Sequence, residues 1–149
     1  MLEIKEKELN TFFVEVFNDI LAKEEKIFNN TEYKDLTIKE CHVLEAIAIL
    51  KKDRNNKMTN IANKINISVG ALTTSIKTLL KKGYVKRIIC EQDHRIIYID
   101  LTSKGEAANA IHEEFHSKMI NYIFMSHSKE ELQSLVQCLE TFKKFFKNI

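Results

Sequence analysis

The chain has 149 residues, of which 44% are hydrophobic and 30% charged, and it carries a net charge of +2. This length and composition predict a single domain over residues 1–149 with one compact core. No stretch approaches the roughly 18 consecutive apolar residues of a membrane span, and the first residues lack the pattern of a signal peptide, so we expect a cytoplasmic protein with no membrane partner.

Two long segments at the start of the chain are predicted to be helices. Apolar residues recur every three or four positions from Leu9 to Leu21, which is typical of an amphipathic helix. Thr37 and Glu40 form a capping box that begins a second helix, and the polar run 51–56 ends it.

Two shorter helices are predicted next, separated by a tight turn. Thr59 is expected to cap the first of them, and Ser68 is expected to cap the second. Gly83 stops that second helix, because glycine readily adopts the left-handed conformation that follows a helix.

The apolar pattern changes after Gly83. Residues 84–90 and 95–101 are rich in β-branched and aromatic side chains and flank the polar segment 91–94, which predicts a β-hairpin. A fifth helix is predicted from Thr102 to the break at 126–128.

A last amphipathic helix follows the capping box of Ser128 and Glu131. The three cysteines, Cys41, Cys90 and Cys138, form no CxxC pair, and we expect them to be reduced and buried.

This order of elements is that of a winged helix-turn-helix. We therefore predict a mainly α fold (α+β) with a small β-hairpin wing, in which residues 37–105 form the DNA-binding part and helices at 1–36 and 106–149 flank it. Residues 57–104 contain nine basic and three acidic side chains, a net charge of +6, so a polyanion is the natural partner of this segment. A solvated basic face is the alternative.

In a winged helix-turn-helix, the second helix of the pair enters the major groove by its first turns. Its candidate contacts are small, hydroxyl-bearing or basic side chains: Thr59 in the preceding helix, then Ser68, Val69, Gly70, Ala71, Thr73, Thr74, Lys77 and Lys81. A threonine can hydrogen-bond a base edge or touch a thymine methyl group. Ser68 and Thr59 are equally interpretable as plain helix caps, and Lys81 and Lys82 as solvated charges.

The segment 58–85, together with Asp93-His94-Arg95 and residues 101–105, resembles the signature of the MarR family of transcriptional regulators. The resemblance implies that Arg95 at the wing tip enters the minor groove and that Asp93 orients it. His94 stands where the family commonly has an arginine, so any phosphate contact there is expected to be weaker and pH-dependent.

The resemblance also implies that the flanking helices 1–36 and 106–149 intertwine two protomers as dimerisation helices. Independently, the apolar faces of the first and last helices are larger than a small core needs. We therefore expect a homodimer that binds a pseudo-palindromic operator in double-stranded DNA.

Four segments are similar to the fatty-acid synthesis repressors of this family: 17–21 with Glu24 and Glu25, 37–42, 70–75 and 111–116. That similarity implies an effector, a long-chain acyl group on acyl carrier protein (acyl-ACP), which strengthens DNA binding and represses lipid synthesis genes. The acyl chain would occupy an apolar tunnel between the dimerisation helices and the DNA-binding part, whose lining residues the similarity does not identify.

A zinc site is the alternative to a protein without a cofactor. His112 and His116 are four residues apart on one helical face, a spacing that lets two imidazoles share a zinc ion, and His42 and Glu24 complete four ligands. This set resembles the principal site of zinc-responsive members of the family. Their second site lacks its ligands here, since its aligned positions hold Asn30, Cys41 and Ile111. The same histidines are also interpretable as a polar network that tunes the dimer.

The sequence shows no sign of an enzyme. It has no nucleophile elbow, no phosphate-binding glycine loop and no paired catalytic carboxylates, and it contains three glycines in total. A protein-interaction adaptor with a degenerate wing remains the alternative from a different functional class.

Overall fold

The computed structural model describes residues 4–149, which fall into two units. The first unit ends at His112 and the second is Glu113–Ile149. The first holds helix α1 (Glu6–Asn29), helix α2 (Ile38–Leu50), helix α3 (Met58–Lys64), helix α4 (Val69–Lys82), strands β1 (Val85–Ile89) and β2 (Ile97–Leu101), and the start of helix α5 (Ser103–Ser126). The second holds the rest of α5 and helix α6 (Lys129–Lys147). The predicted mainly α fold with a β-hairpin is confirmed.

Helix α2 lies in the middle of the first unit's core. It begins at the predicted capping box, in which Thr37 Oγ1 accepts from Glu40 N at 3.2 Å and Glu40 Oε2 accepts from Thr37 N at 2.9 Å. Most of its side chains are buried, and they pack in one apolar cluster with residues of α3, α4 and the hairpin: Leu44, Ile47, Ile61, Leu72, Ile76, Leu79, Tyr84 and Ile99. A 3₁₀ turn, Lys51–Asp53, follows α2.

The short helix α3 begins differently from the prediction. Its N-cap is Lys57, so the expectation that Thr59 caps it is wrong, and Thr59 lies inside the helix. The reason is a tertiary contact. Lys57 forms an isolated β-bridge with Tyr98, and Ile99 N donates to Asn56 O at 2.9 Å, which holds this segment extended against β2 until Met58.

Both ends of α4 agree with the prediction. Ser68 Oγ accepts a hydrogen bond from Ala71 N at 3.1 Å and so caps the helix. Gly83 ends it with a left-handed φ of 81°.

The hairpin is antiparallel, with Val85 opposite Leu101 and Ile89 opposite Ile97. Its strands are shorter than predicted, because Cys90 and Ile96 belong to the connection: Cys90 N donates to Ile96 O at 2.9 Å and Ile96 N donates to Asp93 O at 3.0 Å. Val85, Ile99 and Leu101 are buried and attach the hairpin to the core.

Helix α6 begins at the second predicted capping box, where Ser128 Oγ accepts from Glu131 N at 3.2 Å. Helices α1 and α6 both expose apolar side chains within a single copy of the chain. In α1 these include Leu9, Phe12, Phe13, Val16 and Phe17, and in α6 they include Leu135, Val136, Leu139, Phe145 and Phe146.

The cysteines differ in exposure. Cys41 is buried as expected, Cys90 is partly buried, and Cys138 is exposed, so the expectation of buried thiols is wrong for Cys138. Among residues 4–149, no helix is long and apolar enough to cross a bilayer.

Candidate nucleic-acid interface

The outward face of α4 carries the residues predicted to contact DNA. Thr73 on this face is half-exposed, and the other predicted residues of the segment are exposed: Ser68, Val69, Gly70, Ala71, Thr74, Lys77 and Lys81. Thr59 is exposed on α3. One continuous surface of the helix is thus available, while Leu72, Ile76 and Leu79 anchor the opposite face in the core.

The threonine hydroxyls on this face are engaged within the helix. Thr73 Oγ1 donates to Val69 O at 2.8 Å, and Thr74 Oγ1 donates to Gly70 O at 3.4 Å. The side chain of Ser68 already caps the helix. The outward face therefore presents methyl groups and lysine ammonium groups more than hydroxyl donors.

Lys82 has a different role from its neighbour Lys81. Lys81 is exposed, whereas Lys82 Nζ donates to Glu40 Oε2 at 2.8 Å and to the carbonyl oxygen of Asp35. These bonds fasten the last turn of α4 to the first turn of α2. The interpretation of Lys82 as a solvated charge is wrong. Only the role of Glu40 as a capping residue was visible in the sequence.

The wing tip holds a bidentate ion pair. Arg95 Nε donates to Asp93 Oδ1 at 3.0 Å, and a terminal guanidinium nitrogen donates to Asp93 Oδ2 at 3.2 Å. These bonds and the Arg95 backbone N–H hold the pKa of Asp93 below its usual range. The Arg95 side chain is 91% exposed, and His94 beside it is exposed as well.

A second candidate site lies in the interior of the first unit. Glu24 of α1 is 2% exposed, and its carboxylate meets two histidines. His112 Nε2 lies 2.8 Å from Glu24 Oε1, and His42 Nε2 lies 3.5 Å from Glu24 Oε2. The two imidazole rings are 5.6 Å apart between centroids. Three of the four predicted metal ligands thus lie together.

The chemistry of this cluster fits a divalent metal. One ligand atom from each of Glu24, His42 and His112 lies within 4.8 Å of the others. Imidazole nitrogen and carboxylate oxygen are both ordinary zinc ligands. Glu45, which no sequence pattern singled out, places Oε1 4.0 Å from His112 Nδ1.

The fourth predicted ligand, His116, belongs to the second unit. It is half-buried one helical turn after His112 along α5. Its ring packs edge-on against Phe115, with 5.3 Å between ring centroids.

A cavity of about 510 Å³ lies between α2 and the helix-turn-helix. It is lined by His42 of the histidine cluster and by Ala71 and Thr74 on the outward face of α4. Its remaining lining has three apolar side chains, one lysine and one serine: Lys39, Val43, Ile65, Ile67 and Ser75.

Sequence comparison places this chain among known regulators. The sequence model of the MarR family matches residues 36–97, which include α2, α3, α4 and β1. The HTH-type transcriptional regulator SarZ of Staphylococcus aureus is 30% identical over 117 residues, or 78% of this chain and 76% of SarZ. The HTH-type transcriptional regulator YpoP of Bacillus subtilis is 26% identical over 140 residues, or 94% and 92% of the two chains.

Two solved protein–DNA complexes have a similar structure. Streptococcus pneumoniae FabT in complex with DNA has a TM-score of 0.83 and 28% identity, and the match covers 97% of this chain and 99% of FabT. The MepR–DNA complex of S. aureus shares the fold, with a TM-score of 0.74, 17% identity and coverage of 97% and 99%.

Proposed function

The chain belongs to the MarR family of transcriptional regulators, and we propose that it is a sequence-specific DNA-binding repressor that acts as a homodimer and not as an enzyme. The observation that carries the proposal is the pairing of an exposed, basic α4 face with an exposed Arg95 at the hairpin tip. The first surface suits the major groove and the second suits the minor groove. The same fold is bound to DNA in the FabT and MepR complexes.

DNA binding is tested by fluorescence anisotropy with duplexes selected from a random pool by the full chain. We expect affinity to fall steeply with added salt, because lysines that neutralise phosphates release counterions. Failure to enrich any sequence, or an affinity that salt leaves unchanged, would refute the proposal in favour of an interaction adaptor.

Homodimerisation is supported by the apolar side chains that α1 and α6 each expose in a single copy. Large exposed apolar patches are typical of protein interfaces. A two-fold dimer would place its two α4 helices about 34–36 Å apart, so that each reads one half of a pseudo-palindrome.

Sedimentation equilibrium tests the dimer. We expect the parent chain to sediment as a dimer and Leu139→Lys to shift it toward monomer, because Leu139 is an exposed apolar residue of α6. Gln137→Lys is the matched control, since it adds the same charge at an exposed polar position of α6. A parent chain that sediments as a monomer would contradict the proposal.

We further propose that the effector is a long-chain acyl group on acyl carrier protein and that the regulated genes serve fatty-acid synthesis. The similarity to FabT extends over nearly the whole chain. The cavity beside α4, which Val43, Ile65 and Ile67 help to line, supports the proposal, because an occupant there would contact the helix that meets DNA.

The effector is tested by measuring affinity for the selected duplex with hexadecanoyl acyl carrier protein and with the carrier protein lacking its acyl chain. We expect only the acylated form to tighten binding. Equal affinity with both forms would refute the acyl proposal and leave DNA binding unaffected.

A zinc-responsive repressor is the second candidate, and the cluster of Glu24, His42 and His112 favours it. Zinc held by these three residues would cross-link helices α1, α2 and α5 and so bias their arrangement. Isothermal titration with zinc tests this candidate. We expect the binding heat to be lost in His42→Ala and His112→Ala and kept in His94→Ala, a control in the wing. No binding heat for the parent chain would exclude zinc as the effector.

A further inference from the structure

We propose that α4 recognises thymine methyl groups in the major groove and that Thr73 is its main specificity-determining residue, an inference that rests on the proposed DNA-binding function. The operator half-sites should then be rich in A·T pairs, with thymine at the positions that face Thr73.

The first argument is the set of side chains that α4 offers. Base edges are usually read by arginine or lysine on guanine, by asparagine or glutamine on adenine, and by acidic residues on cytosine. The α4 sequence VGALTTSIKTLLKK contains no arginine, amide or acidic side chain. Lys82 is held by Glu40, which leaves Lys77 and Lys81 as its exposed charged groups.

The second argument is the hydrogen bond of Thr73. Its hydroxyl donates to Val69 O at 2.8 Å, a back-bond within the helix that occupies the proton. Thr73 is therefore a poor hydrogen-bond donor to an acceptor atom on a base edge. The γ-methyl of Thr73 and the side chains of Val69 and Ala71 make this part of the helix apolar.

The third argument is the position of these groups. Val69, Thr73, Lys77 and Lys81 follow one another at intervals of four residues and so lie along one stripe of the helix. The stripe begins with methyl groups near the amino terminus, the part that approaches bases, and ends with ammonium groups suited to phosphates. The thymine methyl is the apolar group that the major groove displays to such a surface.

The experiment replaces thymine by uracil, because uracil pairs identically and lacks only the methyl group. A duplex selected from a random pool by the full chain is resynthesised with uracil at one thymine at a time, and affinities are measured by anisotropy. We expect a loss of about fourfold at one position in each half-site, equivalent to roughly 0.8 kcal/mol for one buried methyl group.

Two variants assign the effect to Thr73. Thr73→Val keeps a methyl group and removes the hydroxyl, so it should retain the discrimination between thymine and uracil. Thr73→Ser keeps the hydroxyl and removes the methyl, so it should bind both duplexes equally at that position. Because the uracil substitution is in the DNA, the parent chain alone already tests the inference.

Two results would overturn the inference. One is equal affinity of the parent chain for thymine and uracil at every position, which would leave sequence-specific DNA binding intact. The other is the reverse pattern, with discrimination kept by Thr73→Ser and lost by Thr73→Val, which would assign recognition to the hydroxyl. If no sequence is enriched from the pool, the proposed function fails together with the inference.

Discussion

Asp93 holds the guanidinium of Arg95 through two hydrogen bonds, Nε to Oδ1 at 3.0 Å and a terminal nitrogen to Oδ2 at 3.2 Å. Both residues lie in the connection between β1 and β2, where Asp93 Oδ1 also accepts from Arg95 N at 3.0 Å. These bonds favour one direction of the arginine, although its side chain is 91% exposed. Such preorganisation lowers the entropy that binding would otherwise remove.

We expect Arg95→Ala to weaken binding to the selected operator by about 1–3 kcal/mol, the usual effect of losing a good side-chain contact to DNA. Lys34→Ala is the control, because it removes one exposed positive charge outside the predicted DNA-binding part. Equal affinities of the two variants in anisotropy would mean that the wing tip does not contact DNA.

Asp93→Asn should weaken binding less than Arg95→Ala does, because the arginine remains and only its orientation is lost. The pKa of Asp93 is lowered by Arg95, so the ion pair is complete above the ordinary value of about 3.9 and is lost as pH falls through the lower folded value. Affinity should therefore show no contribution from Asp93 titration between about pH 6 and 8. If the affinity of the parent chain for DNA changed with pH in this window and that of Asp93→Asn did not, the geometry of the ion pair would be contradicted.

Gly105→Ala should destabilise the protein by about 1–3 kcal/mol or more, the range of overpacking effects. A Cβ at this position would lie 2.0 Å from the carbonyl oxygen of Tyr84, which is backbone and cannot rotate away. Gly70→Ala is the matched control. Its Cβ would meet Ser68 Oγ at 3.9 Å, an ordinary contact, and it should be neutral or stabilise the helix by up to about 1 kcal/mol. Urea denaturation measures both, and similar stabilities would contradict the packing at Gly105.

Glu24→Ala should cost about 1–3 kcal/mol of stability, because it removes the carboxylate oxygen that lies 2.8 Å from Nε2 of the buried His112. Glu24→Gln should cost less, since the amide oxygen still accepts a hydrogen bond from an imidazole N–H. The neighbouring exposed residue Glu25 supplies the control, and Glu25→Ala should change little. Urea denaturation compares the three variants. EDTA is present and the protein concentration is the same throughout, because metal binding and dimerisation would each change the apparent stability. Equal stability of Glu24→Ala and Glu25→Ala would show that the cluster does not stabilise the fold.

Cys41 should resist alkylation in the folded protein. Burial, together with the charges of Glu40 and Glu24, raises the pKa of its thiol to about 12. At about pH 8 the reactive thiolate is then on the order of one molecule in ten thousand. Peptide mass spectrometry after iodoacetamide treatment should find Cys41 modified only when urea is present. Rapid modification in native buffer would show that this part of the core opens.

The helix ends were predictable because the interactions that set them are local. Each capping box joins two residues three positions apart, Thr37 with Glu40 and Ser128 with Glu131. The spacing in the sequence therefore predicts the hydrogen bonds of each cap. Gly83 likewise stops α4 by its own conformational freedom. The outward face of α4 was predicted from helical periodicity, which is also a local property of the sequence.

The start of α3 depends instead on a contact between distant segments. Thr59 is a good capping residue, yet Lys57 takes the cap because its backbone pairs with Tyr98 of β2. Pairing between distant backbone segments overrides a local preference, and the spacing of residues in the sequence does not predict such pairing. The bonds of Lys82 to Asp35 and Glu40 were not predicted for the same reason, because these residues are also far apart in the sequence.

The histidine cluster shows most clearly the difference between what local interactions determine and what tertiary contacts determine. In the sequence Glu24 and Glu25 are two adjacent acidic residues, and only the resemblance to zinc-responsive relatives singled out the first. In the folded chain Glu24 is 2% exposed beside His112 and His42, while Glu25 is exposed. The sequence by itself determined that α1 would be helical and amphipathic. The packing of α1 against α2 and the first part of α5 decided which carboxylate is buried, since burial depends on the direction a side chain takes from its helix toward elements far away in the chain.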